Sequence, residues 1–136
     1  TFCFTYGDGV GNIDITKLLK LHKDSSTIAT VTAVQPPGKF GRMNLKENVV
    51  SHFEEKPIGD GGWINGGYFV LEPSVFDYLE NESTVWEREP LEKLAKNNEL
   101  SAYRHSGFWH PVDTLWDKNY LESLWKNNNA PWKIWE

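Results

Sequence analysis

The chain opens with Thr1-Phe2-Cys3-Phe4-Thr5-Tyr6-Gly7-Asp8-Gly9, a β-prone apolar run that ends in an acidic glycine turn. The run reads as a buried strand. Gly7 and Gly9 let the backbone turn sharply and let a ligand come close to it. Asp8 then projects from the carboxyl end of the strand, where open α/β sheets bind their ligands. A carboxylate there can hold a hard cation such as Mg²⁺, which in turn holds phosphate. The tripeptide alone also reads as an ordinary Asp-Gly turn. The strand has no lead-in, no initiator methionine and no signal-like leader, so the chain is expected to be an internal piece of a longer enzyme.

At 136 residues the chain can bury one core, which predicts a single domain, or one large part of a domain, over residues 1–136. The net charge of −5 comes with no dense Lys/Arg cluster, which argues against a nucleic-acid surface. No apolar run approaches the roughly 20 residues of a membrane span. A single cysteine, Cys3, excludes an internal disulfide and a Cys-based zinc site. Its apolar surroundings predict a small buried residue. His22, His52, His105 and His110 show no metal-ligand spacing. This composition fits a reduced, cytoplasmic protein. Seven Trp, seven Phe and five Tyr are the unusual component, and Trp125, Trp132 and Trp135 cluster at the end. That cluster suggests a tail packed on its own core or on a neighbouring subunit.

Asp14 to Lys23 predicts a helix with Asp14 as N-cap and with Ile15, Leu18, Leu19 and His22 on one face. Thr27 to Val34 reads as a buried β-branched strand. Strand, helix, strand begins a parallel α/β arrangement. Pro36-Pro37-Gly38 then opens a loop through Lys39-Phe40-Gly41. Phe40 to Leu45 and Val49 to Phe53 suggest a hairpin around Lys46-Glu47-Asn48. A flexible Gly59-Asp60-Gly61-Gly62 follows. Ile64 to Leu71 is a further buried strand with a glycine pair near its start. Pro73 and Pro90 each open a short helix. Leu100 to His105 is a strand, and Leu115 to Lys126 an amphipathic helix with Tyr120, Leu121, Leu124 and Trp125 inward.

Three polar elements stand at strand ends or glycine turns: Asp8, Glu55-Lys56 and Asp113. Two aspartates and a lysine suit a metal-assisted phosphate reaction. The carboxylates position Mg²⁺, and the lysine meets phosphate as a point charge. Pro57 biases Lys56 toward an extended backbone. Each residue alone also reads as a solvated surface charge. Asn65-Gly66-Gly67 is either a β-bulge or a place where a polar ligand touches backbone.

The order of these elements resembles the sugar-phosphate nucleotidyltransferases. The resemblance implies an α/β, GT-A-like (Rossmann-like) fold with a mixed, mostly parallel sheet, of which this chain is the C-terminal part. Gly7-Asp8-Gly9 is similar to that family's first metal aspartate after a hydrophobic strand. Glu55-Lys56-Pro57 matches its E-K-P motif, in which the lysine meets the sugar 1-phosphate and the glutamate the sugar hydroxyls. Asn65-Gly66-Gly67 resembles its sugar-binding glycine strand, and Asp113 in Val112-Asp113-Thr114 its second metal aspartate. Phe4 to Val10, Pro36 to Gly41, Trp86 to Leu91, Gly107-Phe108-Trp109 and Ala130 to Lys133 resemble the members that join CTP to glucose 1-phosphate. The resemblance implies CDP-glucose and pyrophosphate as products, Mg²⁺ as cofactor and a homo-oligomer. The family's G-G-x-G-T-R-type nucleotide loop does not occur in this sequence. Two other readings therefore stand: a catalytically silent sugar-phosphate-binding and oligomerisation fragment, or a transferase that uses UTP or dTTP.

Overall fold

A computed structural model of the chain describes residues 1–135 except 37, 39–41, 56–57 and 59–61. Lys56 and Pro57, with most of the Pro36 to Gly41 loop and the Gly59-Asp60-Gly61 run, thus lie outside the described residues. Four strands form the main sheet: β1 (Phe2–Thr5), β3 (Ala29–Val34), β6 (Ile64–Leu71) and β7 (Leu100–His105), in the order β1-β6-β3-β7. β6 runs antiparallel to both β1 and β3, and β3 runs parallel to β7. β1, β3 and β7 therefore share one direction, and β6 opposes them from between β1 and β3. The first strand and the strand after α1 have the parallel sense expected of them, but β6 separates them.

Both faces of the sheet are covered. Helix α1 (Ile15–Ser25) starts where the Asp14 side chain accepts the Lys17 N–H at 2.9 Å. Its Leu18 packs with Ile13 and Val70 on one face. The opposite face holds Ala29, Phe69 and Leu71, against Val75 of a 3₁₀ turn (Pro73–Tyr78) and Leu94 of α2 (Glu89–Lys96). The alternation of Phe69, Val70 and Leu71 along β6 feeds the two cores in turn, as strand geometry requires. His22 is buried on α1, where Nδ1 meets the Thr30 hydroxyl at 2.8 Å and Nε2 the Glu72 carboxylate at 3.1 Å.

Two ribbons stand apart from the sheet. Arg42–Lys46 (β4) and Val49–Glu54 (β5) form the expected hairpin, turning at Glu47 and Asn48 with every strand residue exposed. Gly9–Gly11 (β2) pairs antiparallel with Trp109–Pro111 (β8), which leads into α3 (Leu115–Lys126). Among the described residues, no helix is long and apolar enough to cross a membrane.

Two burial expectations need correction. β1 is an edge strand, with Cys3 exposed and Phe4 39% exposed. An apolar run favours burial on both faces, but burial depends on the layers that pack over the strand, and among the described residues β1 pairs with β6 alone, at the margin of the two cores. Trp125 on α3 is 50% exposed, with Trp135 of the tail 6.4 Å away. Of the inward residues expected on that helix, only Leu121 is buried. Part of the tail does return to its own fold: Trp132 lies against Phe108 at 5.4 Å.

The glycine pair makes a β-bulge. Val31 faces Phe69 while Ala33 faces Asn65, so β6 carries the extra residues. Gly67 takes φ +75°, and a Cβ there would lie 2.8 Å from Tyr6 Cδ2. A side chain at this position meets both a left-handed backbone and a filled space. Gly67→Ala is expected to destabilise the fold by at least about 1–2 kcal/mol from the backbone alone. Urea unfolding should show a lower midpoint at an unchanged slope; a wild-type midpoint would contradict this account of the bulge.

Candidate active site

The β2–β8 ribbon brings the two candidate metal aspartates to one place. Gly9 pairs with Pro111, and the Val112 N–H donates to the Asp8 carbonyl at 2.7 Å. Continuing that register sets Asp8 across from Val112, next to Asp113. Both aspartates are exposed. Among the described residues, no group of three or more His, Cys, Asp or Glu side chains could hold a metal ion. Two carboxylates nonetheless suit Mg²⁺, which keeps several waters and binds through one or two carboxylates plus substrate phosphates.

The ribbon is tied to the bulge of β6 by side chains. Trp109 Nε1–H donates to the Gly66 carbonyl at 2.9 Å, and the Tyr68 hydroxyl donates to the Gly9 carbonyl at 2.8 Å. The Tyr6 N–H donates to the Gly67 carbonyl at 2.9 Å. A Cβ on Gly66 would lie 2.8 Å from Val34 Cγ1 and 3.0 Å from the Thr32 carbonyl oxygen, so the residue must be glycine for packing reasons. Asn65 is exposed, and its side chain is engaged in the bulge. Its Oδ1 accepts the Gly67 N–H at 2.8 Å, and its Nδ2–H donates to the Tyr6 hydroxyl at 3.0 Å. Gly7 is exposed, with open space where a Cβ would stand. Glu55 is exposed just past β5. Asp8, Asp113, Asn65, Gly66 and Gly7 thus gather where β1, β6 and the ribbon meet.

Tyr6 lies in the middle of this arrangement and was not picked out from sequence. Burial first of all, and then the carboxylates of Glu87 and Asp8, push its phenol up to about 12, while the Asn65 amide opposes them. The phenol therefore remains neutral beside two acids. Glu87 thereby also belongs to the neighbourhood, although it precedes α2 and lies far from Asp8 in sequence.

A second group missed from sequence surrounds Asp113. Asp117, in the first turn of α3, accepts three hydrogen bonds. They come from the Thr114 N–H at 2.8 Å, the Thr114 hydroxyl at 2.6 Å and His110 Nε2–H at 2.9 Å. The Thr114 hydroxyl in turn accepts the Asp117 N–H at 3.2 Å, which completes a capping box. These bonds, those from Thr114 foremost, pull the Asp117 carboxyl down to about 2. The signal was present as Thr-x-x-Asp ahead of an amphipathic run, but the share of His110 is a tertiary fact.

Comparison with known proteins matches these features to a family. Residues 1–128 match the model of the nucleotidyl transferase family. The chain is 54% identical over 135 residues to a protein of Salmonella typhimurium (strain LT2) named glucose-1-phosphate cytidylyltransferase, with 99% of this chain and 52% of that protein covered. The protein of the same name from Salmonella typhi gives the same identity and the same coverage. The chain thus spans about half the length of these curated relatives. Among solved structures, HddC from Yersinia pseudotuberculosis superimposes with a TM-score of 0.60 at 17% identity, over 88% of this chain and 52% of that one. At that identity the likeness speaks for the fold alone, an α/β fold with a mixed sheet. Since the family model covers nearly the whole chain, the chain belongs to the nucleotidyl transferase family.

Proposed function

We propose that the protein containing this chain transfers a cytidylyl group from CTP to glucose 1-phosphate, giving CDP-glucose and pyrophosphate. The 54% identity to the Salmonella enzymes over 99% of this chain carries that reading. A phosphate oxygen of glucose 1-phosphate attacks the α-phosphorus of CTP in line. The new P–O bond forms as the bond to pyrophosphate breaks, and no general base is required. Catalysis of this kind rests on positioning and electrostatics. Asp8 and Asp113 would hold Mg²⁺, whose chemistry here is to neutralise charge building up on the transferred phosphate.

The chain's own residues have distinct proposed roles. Lys56 holds the attacking phosphate and offsets its repulsion from the triphosphate. Glu55 accepts hydrogen bonds from sugar hydroxyls. The Asn65-Gly66-Gly67 bulge forms the floor beside the sugar, and Gly7 leaves room for close approach. Tyr6, being neutral, adds no third negative charge next to Asp8 and Glu87. We place the protein in the cytoplasm as a homo-oligomer, in keeping with the single cysteine of this chain and its exposed aromatic tail.

This half of the relatives' length carries the sugar and metal residues. Pyrophosphate release from CTP and glucose 1-phosphate with Mg²⁺, by the full-length protein beside the 136-residue chain, tests the proposal. Release by the full-length protein is expected, with none by the chain alone. A full-length protein active only with UTP or dTTP would overturn the choice of nucleotide.

Three variants of the full-length protein probe the roles. Asp113→Ala is expected to lower turnover by about 10²-fold or more with the circular dichroism spectrum unchanged. Wild-type turnover would remove Asp113 from the mechanism. Lys56→Ala should chiefly raise KM for glucose 1-phosphate; a rise confined to CTP would mean that its role is misassigned. Tyr6→Phe probes the neutral phenol. The folded protein holds this proton up to about 12, against an ordinary value of 10.0. Its contribution to stability is therefore complete below pH 10 and lost as pH rises toward about 12. The stability difference between Tyr6→Phe and wild type should shift across that interval, and a flat difference would refute it.

A further inference from the structure

We propose that Asp117 is a positioning residue for the Asp113 carboxylate, acting through a bracket that spans Asp113 on both sides. The inference rests on the reading of Asp113 as a metal ligand. An ordinary capping box needs only the N-cap residue and the third residue of the helix. Here the carboxylate does more: Oδ2 takes both donors of Thr114, the residue after Asp113, while Oδ1 takes His110 Nε2–H from β8, ahead of it. The loop Pro111-Val112-Asp113 is thus held at each end by one side chain. Its middle is held by the Val112 N–H on the Asp8 carbonyl. Asp113 thus lies between two residues, Val112 and Thr114, that are each held by a hydrogen bond.

The far end of the bracket is itself immobilised. The His110 ring packs among Phe108, Trp116 and Tyr120, with centroids at 6.5, 6.3 and 5.2 Å. Trp116 lies flat on Tyr120 at 5.3 Å and an interplanar angle of 6°. Aromatic contacts thus seat His110, His110 bonds Asp117, and Asp117 bonds the turn that carries Asp113. A helix cap alone explains the Thr114 bonds and does not explain the bond to His110. Groups outside the ligand set that orient the ligands commonly carry about 10–100-fold in metal affinity, and displacements near 1 Å at a reacting centre carry about 10²-fold in rate.

The test uses the full-length protein and two variants that break the bracket at different bonds. Asp117→Ala removes the acceptor. His110→Phe keeps an aromatic ring in the stack and leaves the helix cap in place, but loses the bond to Asp117. For both, two quantities are measured: the Mg²⁺ concentration giving half-maximal turnover, and the affinity for Mn²⁺ in the presence of CTP, read from the electron paramagnetic resonance signal of free Mn²⁺. Each is expected to weaken by about 10-fold or more, with KM for glucose 1-phosphate within about twofold of wild type. Asp117→Asn, which can still accept from Thr114 and pair with the other His110 tautomer, should recover most of the loss. If Asp117→Ala does not fold, His110→Phe decides alone. Metal dependence within about twofold of wild type in folded His110→Phe would overturn the proposal and leave Asp117 as a helix cap. Asp113→Ala separates the two levels. If that variant binds Mn²⁺ normally, the metal reading itself fails; if it does not bind while His110→Phe does, only the bracket fails.

Discussion

The glycine bulge of β6 is the constraint on which the rest of the site depends. Its backbone accepts from both sides: the Gly66 carbonyl takes Trp109 Nε1–H, and the Gly67 carbonyl takes the Tyr6 N–H. Its side chains reach outward as well, Asn65 to the Tyr6 hydroxyl and Tyr68 to the Gly9 carbonyl. Strands from the beginning, middle and end of the chain are thereby registered against one irregular turn of backbone. The Tyr6 bond continues the register of β1 against β6, whereas a regular β6 would point the Gly66 carbonyl into the ladder of β3 and leave Trp109 without this partner. Buried polar groups without partners are costly, so the bulge and its contacts stabilise one another.

Around that point the structure separates rigid parts from adaptable ones. The two cores on either side of the sheet hold β3 and the later part of β6, from Gly66 to Leu71, while Ile64 and Asn65 at the start of β6 stay exposed. The aspartates stand on a short ribbon outside that sheet, exposed to solvent. Rigid placement with solvent access suits acidic ligands that must hold a hydrated cation and release product. Acids buried in the sheet would be driven toward their neutral form by desolvation. Aromatic contacts from Trp116 to Phe108 surround His110, which bonds Asp117 in the first turn of α3.

Local pattern was a good guide to elements and a poor one to their neighbours. Asp14 as a cap, the β-branched run of β3, the hairpin around Glu47 and Asn48, and the prolines that open the 3₁₀ turn and α2 were all legible, because each depends on nearby residues. β1 was read as buried from its apolar run, yet burial depends on which layers pack over a strand, and β1 lies at the edge of the sheet. Cys3 lies on that strand and is exposed with it, and Trp125 on α3 is half exposed. Asn65-Gly66-Gly67 left a bulge and a ligand contact open, and the pairing of Val31 and Ala33 with Phe69 and Asn65 makes it a bulge.

By itself the sequence determined the strands of the main sheet, the hairpin, the helices and the placing of acids just beyond strand ends, though not the short strands β2 and β8. These follow from short-range backbone preference and side-chain size. Only the tertiary structure decided that Asp8 and Asp113 flank one ribbon, that β6 runs against its neighbours, that Asn65 meets Tyr6 and that His110 meets Asp117. Such pairings join residues far apart along the chain. They are set by which surfaces bury together and which donors find acceptors, and no local stretch of sequence encodes either.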